Sequence, residues 1–258
     1  MAKHTPSHRE DPSPSDYRLS HLAPEKGESY QAAFTQNPYR KMMWDFERRI
    51  LDDIRDTFFE GQELRHLDFA CGTGRVLAHF AARAQVSVGV DISPSMLSVA
   101  RTALDRSELI EADITERDVL GDRSFNLITA FRFFPNAQPS LREDALRVLI
   151  KHLDRGGCLV FNNHKNMASL RYRLARRLKR GGDMGMSPQE VRDLLAQGGL
   201  EIVKTYAHGF TPAGEEHSYV PIALLRKLEE LLTKCPGMRG LGENLVYVCR
   251  RAERPSGR

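Results

Sequence analysis

Three short apolar runs each carry a carboxylate. Asp68 lies within Leu67-Asp68-Phe69-Ala70-Cys71-Gly72-Thr73-Gly74-Arg75, Asp91 closes Val86-Ser87-Val88-Gly89-Val90, and Asp113 follows Leu109-Ile110-Glu111-Ala112. The interval of about 22 residues is that of a strand and its crossover helix. A strand that closes in Gly-x-Gly and runs straight into a helix lets backbone N–H groups and bare main chain approach a ligand closely. Asp91 stands where an acceptor takes both ribose hydroxyls. Asp113 stands where one takes an adenine amino group, with Ile92, Met96 and Ile114 as apolar walls. A dinucleotide fingerprint needs a third glycine three positions after Gly74, and Leu77 is there. A P-loop is excluded because no Gly-Lys-Ser/Thr follows. What remains suits a nucleoside whose tail is an amino acid rather than a pyrophosphate, and paired carboxylates suit a cationic one.

Taken singly, each feature has a plainer reading. Gly72 and Gly74 make a tight strand-to-helix turn, Asp91 caps the helix that Ser93-Pro94 opens, and Met96 is core. The ordered trio is what favours a ligand.

The elements that must position these groups are legible from periodicity. Strands are expected near 64–70, 86–91, 108–112, 125–131, 157–163, 200–207 and 244–250, and helices near 74–84, from Ser93-Pro94, 139–152 and 220–233. Ser187-Pro188-Gln189-Glu190 opens another helix, which Gly198-Gly199 stops. Alternating βα units imply an α/β fold, a mostly parallel sheet with helices on both faces and ligands at the carboxyl ends of its strands. Met42, Met43, Phe46, Ile50, Ile54 and Phe58 place one amphipathic helix within 30–59, ahead of the first strand. The first 25 residues, rich in Pro, Ser and charge, predict a disordered tail.

In combination these residues resemble the class I S-adenosylmethionine-dependent methyltransferases. Leu67 to Gly74 looks like the family's first motif, Gly89-Val90-Asp91-Ile92-Ser93-Pro94-Ser95-Met96-Leu97 like the segment after its second strand, and Ala112-Asp113-Ile114 like its third-strand motif. Phe125-Asn126-Leu127-Ile128 and Leu153-Asp154-Arg155-Gly156-Gly157-Cys158-Leu159 resemble the fourth and fifth strands. The resemblance covers about residues 64–163, and it departs from the pattern at Ala70, often the first glycine. It implies a Rossmann-like seven-stranded sheet whose last strand, Asn244 to Arg250, is antiparallel. It also implies S-adenosylmethionine as cofactor and S-adenosylhomocysteine as product. Asp68, Ala70, Cys71, Gly72 and Gly74 would form the turn around the methionine portion, Asp91 with Ile92 and Met96 would hold the ribose side, and Ala112, Asp113 and Ile114 the adenine. Tyr30 or Arg40, on a helical cap at 26–60, would reach the methionine carboxylate. The domain proper would span 61–258, with lids near 165–186 and 209–240.

Methyl transfer from a sulfonium is an in-line displacement, so the protein must align the acceptor, remove its proton if it is a hydroxyl, and exclude water. The fourth strand delivers Phe131-Arg132-Phe133-Phe134-Pro135-Asn136, an aromatic wall with one cation and one amide. The fifth delivers Asn162-Asn163-His164-Lys165. His164 is the expected general base, with His208 and His217 weaker candidates, and Arg132 would orient an anionic acceptor. The expected acceptor is a hydroxyl on a small molecule. C-methylation of a lipid or quinone and N-methylation of an amine are alternatives, and a non-catalytic cofactor-binding module is a different class.

Of 258 residues, 41% are apolar, and no stretch approaches the roughly 20 apolar residues a spanning helix needs. Four scattered cysteines without a C-x-x-C pair read as reduced, metal-free and cytoplasmic. The net charge is only +4, yet residues 165–180 carry seven Lys or Arg and no acid. Such a helix suits anionic lipid, an anionic substrate or nucleic-acid phosphate. Its simplest reading is a solvated face with Leu170, Leu174 and Leu178 on the core. Nucleic acid is disfavoured by the mild overall charge, and tight membrane contact by the small apolar surface. Oligomeric state is left open.

Overall fold

The computed structural model describes residues 16–21, 23–178, 185–211 and 220–253. Seven strands, β1 (Leu64–Phe69), β2 (Ala84–Asp91), β3 (Glu108–Glu111), β4 (Phe125–Ala130), β5 (Leu153–Asn163), β6 (Leu200–His208) and β7 (Asn244–Arg251), form one sheet. Their order is β3-β2-β1-β4-β5-β7-β6. β1 to β5 run parallel, and β7 is antiparallel to both its neighbours, as the resemblance implied. The carboxyl ends of β1 to β5 therefore share one edge of the sheet.

Both faces of the sheet are covered, which is why its strands are apolar on consecutive residues. Leu67, Ile128, Leu159 and Phe161 pack on one side with Leu141, Ala145 and Leu149 of α5 (Pro139–His152) and with Val191 and Leu194 of α7 (Pro188–Gln197). Leu127, Cys158, Val160 and Val246 pack on the other, against Leu51 and Ile54 of α2 (Pro38–Phe58) and Val76 and Phe80 of α3 (Arg75–Ala81). The capping box at Ser187 forms as expected, with Glu190 closing it.

Four expectations need correction. The single helix before β1 is two, α1 (Lys26–Gln36) and α2, because Pro38 cannot donate to a continuing helix. Asn37, held extended before it, caps α2 by accepting from the amides of Tyr39 at 2.9 Å and Arg40 at 3.1 Å. The tail has fixed structure from Asp16, where Tyr17–His21 form a 3-10 turn, while 1–15 lie outside the described residues. The short helix α6 (Leu170–Arg177) buries no residue, so its leucines are not on the core. Finally, α8 (Ile222–Thr233) is anchored rather than lid-like. Leu225 packs on Tyr39, Met42 and Phe46, and Glu229 accepts from the amides of Gly209, Phe210 and Thr211. Parts of both expected lids, 179–184 and 212–219 with His217, lie outside the described residues. No described helix is long and apolar enough to cross a membrane.

Buried histidines set the acid stability. His66 is fully buried against Phe80, and desolvation lowers its pKa from 6.5 to about 3. His164 and His208 are shifted the same way by burial. Asp68 opposes them, because burial pushes its carboxyl up to about 7. A depressed histidine leaves the unfolded chain binding more protons below 6.5, so its contribution is present above that pH and is lost as pH falls. Asp68 instead adds stability as pH falls below about 7, by an amount comparable to the loss at one histidine, about 2 kcal/mol near pH 5. With these three depressed histidines against one raised carboxylate, urea unfolding should show a net loss of stability between about pH 7 and pH 5. Unchanged or greater stability at the lower pH would contradict this.

Candidate active site

The turn after β1 has the geometry its residue types require. Gly72 and Gly74 have φ of 56° and 77°, in the left-handed region open to glycine, and Ala70 is held there at 52°. For alanine this costs on the order of 1–2 kcal/mol, which a glycine would not carry. A Cβ on Gly74 would lie 2.5 Å from Leu104 Cδ1, whereas one on Gly72 would meet nothing within 4 Å. Gly74 is needed for packing, and Gly72 faces open space.

Asp91, at the end of β2, ties this turn to its neighbour. Its Oδ2 accepts from Gly72 N at 2.8 Å and its Oδ1 from Ser93 N at 2.8 Å. Ser93, not Asp91, caps α4 (Pro94–Arg101), accepting from Met96 N. Asp68 accepts from Leu77 N at 3.1 Å and from Thr129 Oγ1 at 2.6 Å, and Thr129 in turn bonds His66 Nε2 at 2.7 Å. This buried line fixes β1 against β4 beneath the turn.

Two adjoining cavities open at this edge. The larger, about 850 Å³ with its mouth, is lined by Tyr30, Ala70, Gly72, Asp91, Ile92, Met96, Ala112, Asp113, Phe131, Arg132 and His164 among the expected residues. The smaller, about 340 Å³, adds Asp68 and Cys71. Three expected residues line neither. Gly74 and Ile114 are buried in packing, and Arg40 lies with its guanidinium 5.0 Å over the Phe34 ring. His208 is also outside, fully buried and stacked on Phe46, 3.9 Å from Glu47.

Of the two residues read for the carboxylate, Tyr30 lines both cavities and Arg40 neither. Arg75 lines the smaller cavity beside Gly72 and Thr73, and its guanidinium sits 3.4 Å from the Phe34 ring centroid and 4.7 Å from that of Trp44. Its Nη1 is buried with no hydrogen-bond partner. Desolvation works against its charge, and an anion delivered to Nη1 would offset that cost. Trp44 thus packs in the cap and forms part of this cation's enclosure.

The first described turn, Tyr17–His21, supplies two residues the sequence reading passed over. Tyr17 packs edge-on against Phe133, and its hydroxyl donates to Arg132 O at 3.2 Å. Arg18 donates to Asp113 Oδ2 at 3.0 Å and pairs with Asp16 and Glu116. Burial opposes the charge on Asp113, but Thr115 and Arg18 hold its carboxyl below the usual range.

Just beyond β4, Arg132 has φ of 62°, an uncommon conformation for a side-chain-bearing residue. It is held by Asn162 Oδ1, which accepts from its amide at 2.6 Å, and by Asn136, whose Nδ2 donates to its carbonyl. Its guanidinium lies 4.9 Å over Phe34, and the residue lines both cavities. His164 has Nδ1 buried without a partner, and burial, then Arg132 and Lys165, push its pKa well below 6.5. It is a neutral imidazole at physiological pH, available as an acceptor.

Residues 67–157 match the family model described as a methyltransferase domain. No curated protein sequence matches the chain. Among solved structures, magnesium protoporphyrin IX methyltransferase (ChlM) from Synechocystis PCC 6803 with bound SAH is similar at TM-score 0.61 and 13% identity, over 87% of this chain and 94% of its own. The DhpI–SAH complex reaches 0.58 at 18% identity, over 92% and 97%. A TehB-like SAM-dependent methyltransferase from Corynebacterium glutamicum reaches 0.57 at 17%, over 89% and 100%. At these identities the likeness to solved structures is one of fold.

Proposed function

We propose that this chain, whose residues 67–157 match a methyltransferase-domain model, is a class I S-adenosylmethionine-dependent methyltransferase and transfers the methyl group to a hydroxyl of a small-molecule acceptor. The observation that carries the choice of a hydroxyl is His164, a neutral imidazole with an unpartnered ring nitrogen at the wall of the cavity. Bound S-adenosylmethionine supplies an electrophilic methyl on a sulfonium. Gly72 gives the main chain's close approach to the methionine portion, Asp91 takes the ribose hydroxyls, and Asp113 with Ala112 and Met96 takes the adenine. Arg75 holds the methionine carboxylate.

The chain's remaining groups act on the acceptor. His164 accepts the hydroxyl proton as the oxygen attacks, and Arg132 orients an acceptor that carries an anion. Phe131, Phe133 and Tyr17 exclude water from the reacting atoms. Four unpaired thiols go with a reducing, cytoplasmic setting.

The test is incubation with methyl-labelled cofactor and a panel of hydroxylated acceptors, with the product's methylated atom assigned by NMR. An O-methyl product is expected. A C-methyl or N-methyl product would overturn the hydroxyl reading in favour of a lipid or quinone carbon, or an amine. The aromatic wall favours the carbon acceptor of these two.

The role of Arg75 has its own discriminating measurement. Arg75→Met keeps the apolar stem and removes the charge, so affinity for S-adenosylmethionine should fall about tenfold or more, the worth of a charge-assisted hydrogen bond. Affinity for methylthioadenosine, which lacks the carboxylate, should be unchanged. Equal losses for both ligands would assign Arg75 to packing.

A further inference from the structure

Helix α6 turns its leucines to solvent. Leu170, Leu174 and Leu178 are 41%, 49% and 56% exposed, and their spacing puts them on one face. At helical angles Arg171 and Arg177 flank this stripe on its two sides, with Arg173 beyond Arg177. Ser169 caps the helix, accepting from Tyr172 N at 3.1 Å. Arg171 pairs with Glu243 at 3.0 Å. Arg173, Arg176 and Arg177 are exposed and make no ion pair among the described residues.

An exposed leucine stripe rimmed by arginines fits few partners. A second copy of this chain would bring arginine against arginine. Nucleic acid would engage the charges and leave the leucines in water. A surface of anionic lipid satisfies both, with leucines in the acyl boundary and arginines reaching outward to phosphate. We propose that α6 docks the protein on an anionic lipid surface. α6 begins six residues after His164, at the carboxyl end of β5, so docking holds the cavity-bearing edge of the sheet near the lipid.

The test is flotation of the full chain with vesicles of phosphatidylcholine alone or mixed with phosphatidylglycerol. Binding is expected to the mixed vesicles only, and should weaken as salt rises. The variant Arg173→Glu/Arg176→Glu/Arg177→Glu should lose at least about tenfold in affinity. The variant Leu170→Ser/Leu174→Ser/Leu178→Ser should lose a similar factor. All positions changed are exposed, and calorimetry with S-adenosylmethionine checks that each variant keeps its cofactor cleft. No binding to mixed vesicles at low salt would overturn the proposal. So would a leucine variant that binds them as the parent does, or duplex RNA that displaces the vesicles while binding both forms equally, since either marks a general polyanion surface. Vesicle binding is read without turnover, so it stands or falls apart from the acceptor.

Discussion

Asp91→Ala should weaken S-adenosylmethionine binding by about 10²-fold, ~3 kcal/mol, the upper end for charge-assisted hydrogen bonds. The size follows from two roles at one side chain. Asp91 lines the cavity, where the ribose hydroxyls are its proposed partners, and it also holds the amides of Gly72 and Ser93. Alanine removes the hydroxyl partners and frees a turn whose Ala70, Gly72 and Gly74 sit at positive φ. Asp91→Asn keeps one oxygen and the volume, and should lose about tenfold. Calorimetry at matched fold, checked by circular dichroism, reads both. Unchanged affinity in the alanine variant would contradict the ribose role.

His164→Ala should lower kcat by about 10²-fold while leaving cofactor affinity within about twofold. This is the low end for general base catalysis, because an imidazole whose pKa lies well below 6.5 is a weak base. The sign of the shift also fixes the pH profile. His164 is already neutral at neutral pH, so its protonation should not depress turnover until pH falls well below 6.5. His164→Gln keeps a polar side chain that cannot take up the proton, and should fall nearly as far as alanine. Full turnover in either variant would assign His164 to packing, and an acid limb centred at 6.5 in the parent would contradict the burial of its ring.

Much of this site is legible in the chain because it is built from local pattern. Strand, turn and helix follow one another within residues 64–114, so Gly72, Asp91 and Asp113 reach the same cavity through sheet register alone. What escaped depends on tertiary contact. Tyr17 and Arg18 lie in a polar, Pro-rich stretch without periodicity, and only the bond from Arg18 to Asp113 shows their place. Arg40 and Arg75 are both arginines beside the cap, and spacing does not tell which guanidinium the Phe34 and Trp44 rings direct inward. The leucines of α6 have core-like spacing, but spacing alone does not say whether a helix finds a partner. The break at Asn37-Pro38 was readable, since a capping side chain and a first-turn proline mark a helix start.

The most direct test of the central claim is calorimetric titration of the purified chain with S-adenosylmethionine, S-adenosylhomocysteine and NAD(P). Saturable one-to-one binding of the first two and none of the third is the expected result. Failure to bind S-adenosylmethionine, or binding of NAD(P) in its place, would contradict it.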